Sequence, residues 1–194
     1  EDLPQVIQPN AGFIYNANHS PFKSTSIDEN PKEEDYNKNM GFETYDNNRS
    51  IRLKQLIDSY EKVSFKDFKK IKYDNSFPSK FNYSFMDISI IENLKLKNED
   101  LNFELLSRIQ KWDRNTNIES NGAAIYGVLY YNLVRNYRNQ ILENNNIVNK
   151  EILLSALSDV NFYLKENFGS IDITLGDYRK LLRGDTEIPL WGLP

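Results

Sequence analysis

Two patterns of apolar and polar positions meet near residue 50. Before it, apolar residues come in short clusters interrupted by Pro4, Pro9, Pro21 and Pro31. Proline removes a backbone donor and restricts the residue before it, so long helices are forbidden there. Residues 1–9 read as extended, 12–17 as a short strand running into polar turn residues, and 18–40 as a long loop. A loop of that length is uncommon in a compact domain unless it is functional or packs on something else.

From Ser50 onward the spacing is helical. Ile51, Leu53, Leu56, Ile57 and Tyr60 share one face of an amphipathic helix. Ser64 with Asp67 starts a short helix carrying Phe65, Phe68 and Ile71, in the manner of a capping box with Asp in place of Glu. Residues 81–94 place Phe85, Ile88 and Ile91 at helical spacing. Asn98 is expected to cap a helix with Leu101, Leu105, Ile109 and Trp112 inward. A long helix is predicted over 121–143, with Ala124, Val128, Tyr131, Val134, Arg135 and Ile141 along one side. Another follows Asn149, with Ile152, Leu153, Ala156, Val160 and Leu164 inward, and stops at Gly169. A last short helix is expected over 175–183, ending at Gly184. The expected fold is mainly α: an irregular arm, residues 1–49, with one short strand, then a lobe of about seven helices over 50–194.

Composition narrows the function. The chain has 194 residues, 13% of them aromatic, enough for an ordinary core. A formal charge of −4 gives no long-range pull on nucleic acid or anionic lipid, although Lys and Arg cluster locally. There is no cysteine, which removes disulfides, thiolate metal sites and cysteine nucleophiles. The longest apolar run, 123–133, already contains Gly127 and Asn132 and is too short to span a bilayer. Residue 1 is Glu, with no secretory leader before the folded part. That start points to a processed product or an excised piece.

Candidate chemistry is sparse on the residues alone. His19 is the sole histidine, so any Ser-His-Asp triad must use it, yet no Gly-x-Ser-x-Gly turn presents a serine. A single loop histidine is more often structural or exposed. Ser20 and Lys23 match a Ser-x-x-Lys spacing without its companion motifs. Arg183-Gly184-Asp185 reads as a helix end with Gly184 in the left-handed cap. The acids between 28 and 35, Glu33, Glu34 and Asp35 among them, show no EF-hand spacing and read as a solvated loop. The basic stretch "KDFKKIK" reads as solvent-facing. No complete active site assembles.

Longer stretches carry a resemblance. "LPQVIQPNAGFIYNANHSPF" has a Pro-x-x-Gly-aromatic strand ending in Asn-x-Asn, and "NNRSIRLKQLI" an arginine-bearing helix start. "LLSRIQKWD" precedes the small-residue-rich "GAAIYGVLYYNL", and "LLRGDTEIPLWGLP" closes the chain. In this order they resemble the β subunit of penicillin acylases, and of acyl-homoserine-lactone or aculeacin acylases, which are N-terminal-nucleophile amidohydrolases. The resemblance implies that Asn18 falls on the asparagine whose side-chain amide helps form the oxyanion hole. It puts Arg49 on an arginine that orients active-site groups or the polar substrate end. Asp28 or Glu29 lies near where some relatives contribute a calcium ligand, so calcium is a possible cofactor of the parent; no other cofactor or metal is expected.

These enzymes act through a serine that is the first residue of the β subunit, its own amine serving as base. Here residue 1 is Glu. The resemblance therefore implies an interior piece of the β subunit, inactive when isolated, whose partners are the α subunit and the rest of the β subunit. The implied substrate is a small acylated molecule: penicillin-like, an N-acyl-homoserine lactone or a lipopeptide. A periplasmic or secreted location goes with it, and neither nucleic acid nor a membrane span does. The competing class is a non-catalytic helical interaction module. A Gly-Ser processing junction about 200 residues upstream in a longer reading frame separates the two. Residues 1–48, lacking sheet partners, are expected to pack irregularly or on a neighbouring molecule.

Overall fold

The computed structural model describes residues 3–83 and 86–193, which are mainly helical. Its packing divides the chain into two units, Glu1–Ser84 and Phe85–Pro194. No helix among the described residues is long and apolar enough to cross a membrane.

In the first unit the arm is a chain of turns. Four 3-10 turns, Pro21–Lys23, Ile27–Glu29, Glu33–Asp35 and Lys38–Met40, follow one another. Ser20 caps the first, with Pro21 at its opening position, where a missing N–H costs nothing. The expected strand over 12–17 does not form. Tyr15 donates one backbone bond to the Ser24 carbonyl, at 2.9 Å, and no ladder follows. A short apolar, aromatic run favours an extended chain but does not supply its partner. An aromatic cluster of Phe22, Tyr36 and Phe42, with ring centres 5.6–6.2 Å apart, gathers the loop on itself.

Helix α1, Asn48–Asp58, opens with a reciprocal capping box between Asn47 and Ser50. Helix α2, Phe65–Lys72, is capped by Ser64 as expected, through the Asp67 N–H. Arg52 of α1 meets the carboxylate of Asp74 with two parallel bonds, of 2.8 and 2.7 Å, which fixes the connection beyond α2. Only Ile71 of α2 is buried; Phe65 and Phe68 face outward.

In the second unit, helices α4 (Phe103–Gln110), α5 (Asn121–Asn136) and α7 (Lys150–Phe168) pack around Leu105, Leu106, Leu129, Leu133, Leu153 and Leu157. Close approach is built in. A side chain at Gly122 would place its Cβ 2.5 Å from that of Trp112, so only glycine lets α5 start against the indole.

Several boundaries differ from the pattern. Of residues 81–94 only Ile90–Asn93 (α3) is helical, and Phe85 lies outside the described residues. Asn98 does not cap α4; the helix starts after Asn102, leaving Leu101 exposed and Leu106 buried instead. The helix over 121–143 is two, α5 and α6 (Arg138–Glu143). They part at Tyr137, whose hydroxyl donates to Asp159 of α7 at 2.7 Å. Val134 and Arg135 are exposed, because α5 is buried nearly all round in its first half and open only towards its end. Asn149 and Gly169 do bound α7.

The expected helix over 175–183 stops early. Helix α8 is Leu175–Tyr178, and an antiparallel hairpin follows, β1 (Lys180–Arg183) with β2 (Thr186–Pro189). Gly184 does take a positive φ, 57°, but as the first of two central hairpin residues rather than as a helix cap.

Candidate active site

Asn18 stands in the left-handed region, with φ 55°. Asparagine is one of the few residues besides glycine that enter it readily, because its short amide bonds locally. Here the local bond comes from Asn16, whose Oδ1 accepts from the Asn18 N–H at 2.7 Å. The side chain of Asn18 is exposed and makes no hydrogen bond among the described residues.

Three groups hold this turn from behind. Asn47 Nδ2 donates to the carbonyls of Ala17 and Asn18, each at 2.9 Å. Its Oδ1 meanwhile accepts from the Ser50 N–H at 2.9 Å. One side chain thus caps α1 and ties the turn to it. Arg49, at the second position of α1, donates from Nη2 to the same Ala17 carbonyl at 3.2 Å. The third is His19, 8% exposed and stacked on Tyr15 with ring centres 4.8 Å apart. Its Nδ1 accepts from the Ala17 N–H at 3.2 Å, and its Nε2 lies 2.9 Å from the Lys23 carbonyl. An N–H only donates and a carbonyl only accepts, so these partners select the tautomer protonated at Nε2.

Asp46 anchors the same stretch. Its carboxylate accepts from Ser50 Oγ at 3.0 Å and pairs with Lys23 at 2.9 Å, and its carbonyl accepts from the Asn82 amide. Below lies a cavity of about 510 Å³, lined by Tyr15, Phe22, Ile27, Ile51, Lys54 and Asp58 among others. Burial, with Asp46 and Asp58 adding to it, pushes the Tyr15 hydroxyl up to about 12, so it remains an O–H donor.

The sequence therefore pointed at residues that the fold brings together: Asn18 and Arg49 meet at the Ala17–Asn18 peptide. It missed Asn47, although the Asn-x-x-Ser spacing at a helix start was readable as a cap, and it gave His19 and Asn16 no part. The remaining candidates resolve into structure. Both ring nitrogens of His19 face backbone groups, so no serine is paired with it. Ser20 Oγ accepts from the Phe22 N–H and Lys23 pairs with Asp46, which accounts for the Ser-x-x-Lys spacing. Arg183-Gly184-Asp185 forms the hairpin turn. No three His, Cys, Asp or Glu side chains converge as metal ligands among the described residues. Asp28 is exposed. Glu29 accepts from the Asn10 and Ala11 N–H groups, the Asn10 amide and Ser26 Oγ at 2.6–2.9 Å, a donor set suited to an anion's oxygens already taken. Those bonds, from Ala11 first and Asn10 next, hold its carboxyl below the ordinary value.

What the site offers chemically is an uncharged amide donor, on a turn fixed by two asparagines, an arginine and a histidine. A family model described as penicillin amidase matches residues 1–184. The chain belongs to the penicillin amidase family, and so to the acylase-type hydrolases. Comparison with curated proteins gives no match.

Proposed function

We propose that this chain contributes the oxyanion-hole amide of Asn18, and the orienting guanidinium of Arg49, to an amidohydrolase that cleaves the amide of an acylated small molecule. The observation that carries the reading is the exposed, unpartnered Asn18 amide on a turn held from behind by Asn47, Arg49 and His19. A donor of this kind meets a developing alkoxide without a charge that must be desolvated, and it needs little reorganisation because its turn is already set. The nucleophile is an N-terminal serine outside this chain: its oxygen attacks the carbonyl, the amine leaves, and water hydrolyses the acyl-enzyme. The chain alone is inactive, the complete enzyme acts in the periplasm or outside the cell, and its substrate is penicillin-like, an acyl-homoserine lactone or a lipopeptide.

In the complete enzyme, Asn18→Ala lowers kcat by about 10²–10³ while autoprocessing and KM change little. Asn18→Gly keeps the left-handed backbone and removes only the amide, so it fails to the same degree. Turnover that survives in the glycine variant rejects the oxyanion role and leaves Asn18 a turn residue.

A further inference from the structure

The face of α2 left open by the fold joins aromatic rings to cations. Phe65 is 73% exposed and Phe68 55%, with Val63 and Tyr73 also exposed beside them. Helical spacing sets Phe65, Phe68, Lys69 and Lys72 on one side, with Lys66 at its margin. Residues 61–73 hold five lysines against Glu61 and Asp67, in a chain whose net charge is −4. Lys69 lies over the Phe65 ring at 4.7 Å and Lys72 over that of Tyr73 at 5.6 Å, which keeps ammonium groups level with the rings. Lys70 pairs with Asp67; Lys62, Lys66, Lys69 and Lys72 have no carboxylate partner among the described residues.

We propose that α2 is a docking surface for an anionic lipid bilayer, lying in the interface with Phe65 and Phe68 inserted and the lysines at headgroup level. The charge complementarity is local: positive here, while the chain as a whole is acidic. A base-free polyphosphate or a nucleic-acid duplex would satisfy the lysines and leave both phenylalanines in water, whereas a bilayer surface takes rings and cations at once. Contact is peripheral, because the helix is eight residues long and cannot span.

Co-sedimentation of the chain with phosphatidylcholine vesicles, with and without about one-third phosphatidylglycerol, tests this. Binding is expected only with phosphatidylglycerol present and is expected to fall as salt rises. Phe65→Ser with Phe68→Ser weakens it roughly tenfold or more, and Lys66→Glu with Lys69→Glu at least about twentyfold. Both pairs alter only exposed side chains, and unchanged circular dichroism verifies the fold. Absent binding, equal binding to both vesicles, or full binding by either variant overturns the proposal.

Discussion

The two units reach a fixed shape by different means. Among the described residues, the buried apolar side chains of the first are Tyr15, Ile71, Pro78 and Phe81, whereas its interior also encloses His19, Ser20, Thr25 and Ser50. The second encloses Leu105, Leu106, Leu129, Leu133, Leu153, Leu157, Leu164 and Leu175, among others, and few polar groups. Apolar burial is non-directional and tolerates small displacements. Hydrogen bonds to backbone are directional, and each is worth only about 1 kcal/mol net, while a buried group left unmatched costs more. The first unit therefore gains positional definition and gives up reserve stability. That suits the role proposed for the Asn18 turn, which is to aim one amide.

The largest effect expected from this contrast lies in the second unit. Leu157→Ala empties a fully buried position between helices and is expected to cost about 2–5 kcal/mol. Denaturant unfolding followed by tryptophan fluorescence reads it there, since Trp112 and Trp191 both belong to that unit. Hydrogen exchange at the Asn18 turn is expected to change far less than exchange in α5 and α7. An equal loss of protection in both would show that the units do not differ in what holds them.

Next in size is a comparison of two asparagine caps. Asn149 accepts from the Ile152 N–H and serves α7 alone. Asn47 serves α1 and, through its amide, the Ala17 and Asn18 carbonyls. Asn149→Ala is expected to cost about 1 kcal/mol. Asn47→Ala is expected to cost about 2–3 kcal/mol, the cap plus two backbone acceptors left without it. Exchange at the Asn18 and Ser50 amides should quicken together. Two caps of equal cost would mean that the turn holds its form without α1.

Legibility followed the same division. The inward residues of α7 and the caps Asn149, Ser64 and Gly169 were readable because they depend on contacts within one turn and on a repeating face. The mainly helical class was readable for the same reason. Residues 12–17 misled because a short apolar run says nothing about whether a partner strand exists. Residues 175–183 misled because Leu175, Tyr178, Leu181 and Leu182 fit a helical spacing, while Gly-Asp at 184–185 is equally a hairpin signal; cross-strand pairing with 186–189 decided it. At the candidate site, Asn18 and Arg49 were singled out through whole-segment resemblance, and the fold adds that the Arg49 guanidinium donates to the Ala17 carbonyl beside Asn18. His19 escaped the resemblance because its role lies in bonds to backbone groups, which leave no mark in side-chain type, and the Asn-x-x-Ser spacing marks Asn47 as a cap but not as a donor to the Ala17 and Asn18 carbonyls.

The smallest expected effect is an acid-side difference between two carboxylates, Glu29 half-buried and Asp177 exposed. Glu29 of the first unit and Asp177 of the second are both held below their ordinary values, 4.5 and 3.8, chiefly by backbone N–H donors. Glu29 takes its donors from Asn10 and Ala11, distant along the chain, whereas Asp177 takes its donor from Thr174, within its own capping box. A carboxyl depressed in the folded state stabilises it above the unfolded value, and that contribution disappears as pH falls through the folded value. Acidification below 4.5 is therefore expected to loosen the Asn10 and Ala11 amides, freeing the start of the arm from its turns, while the same change at Asp177 only frays the four-residue α8. Amide exchange followed by NMR across this range measures it. Glu29→Gln should weaken protection at every pH, because its one oxygen can accept from the Asn10 or the Ala11 amide but not both. Protection at Asn10 and Ala11 that acidification leaves unchanged in the unsubstituted chain, and that Glu29→Gln retains in full, would mean the arm is held by apolar contact after all, and the contrast between the units would fail where it is most exposed to test.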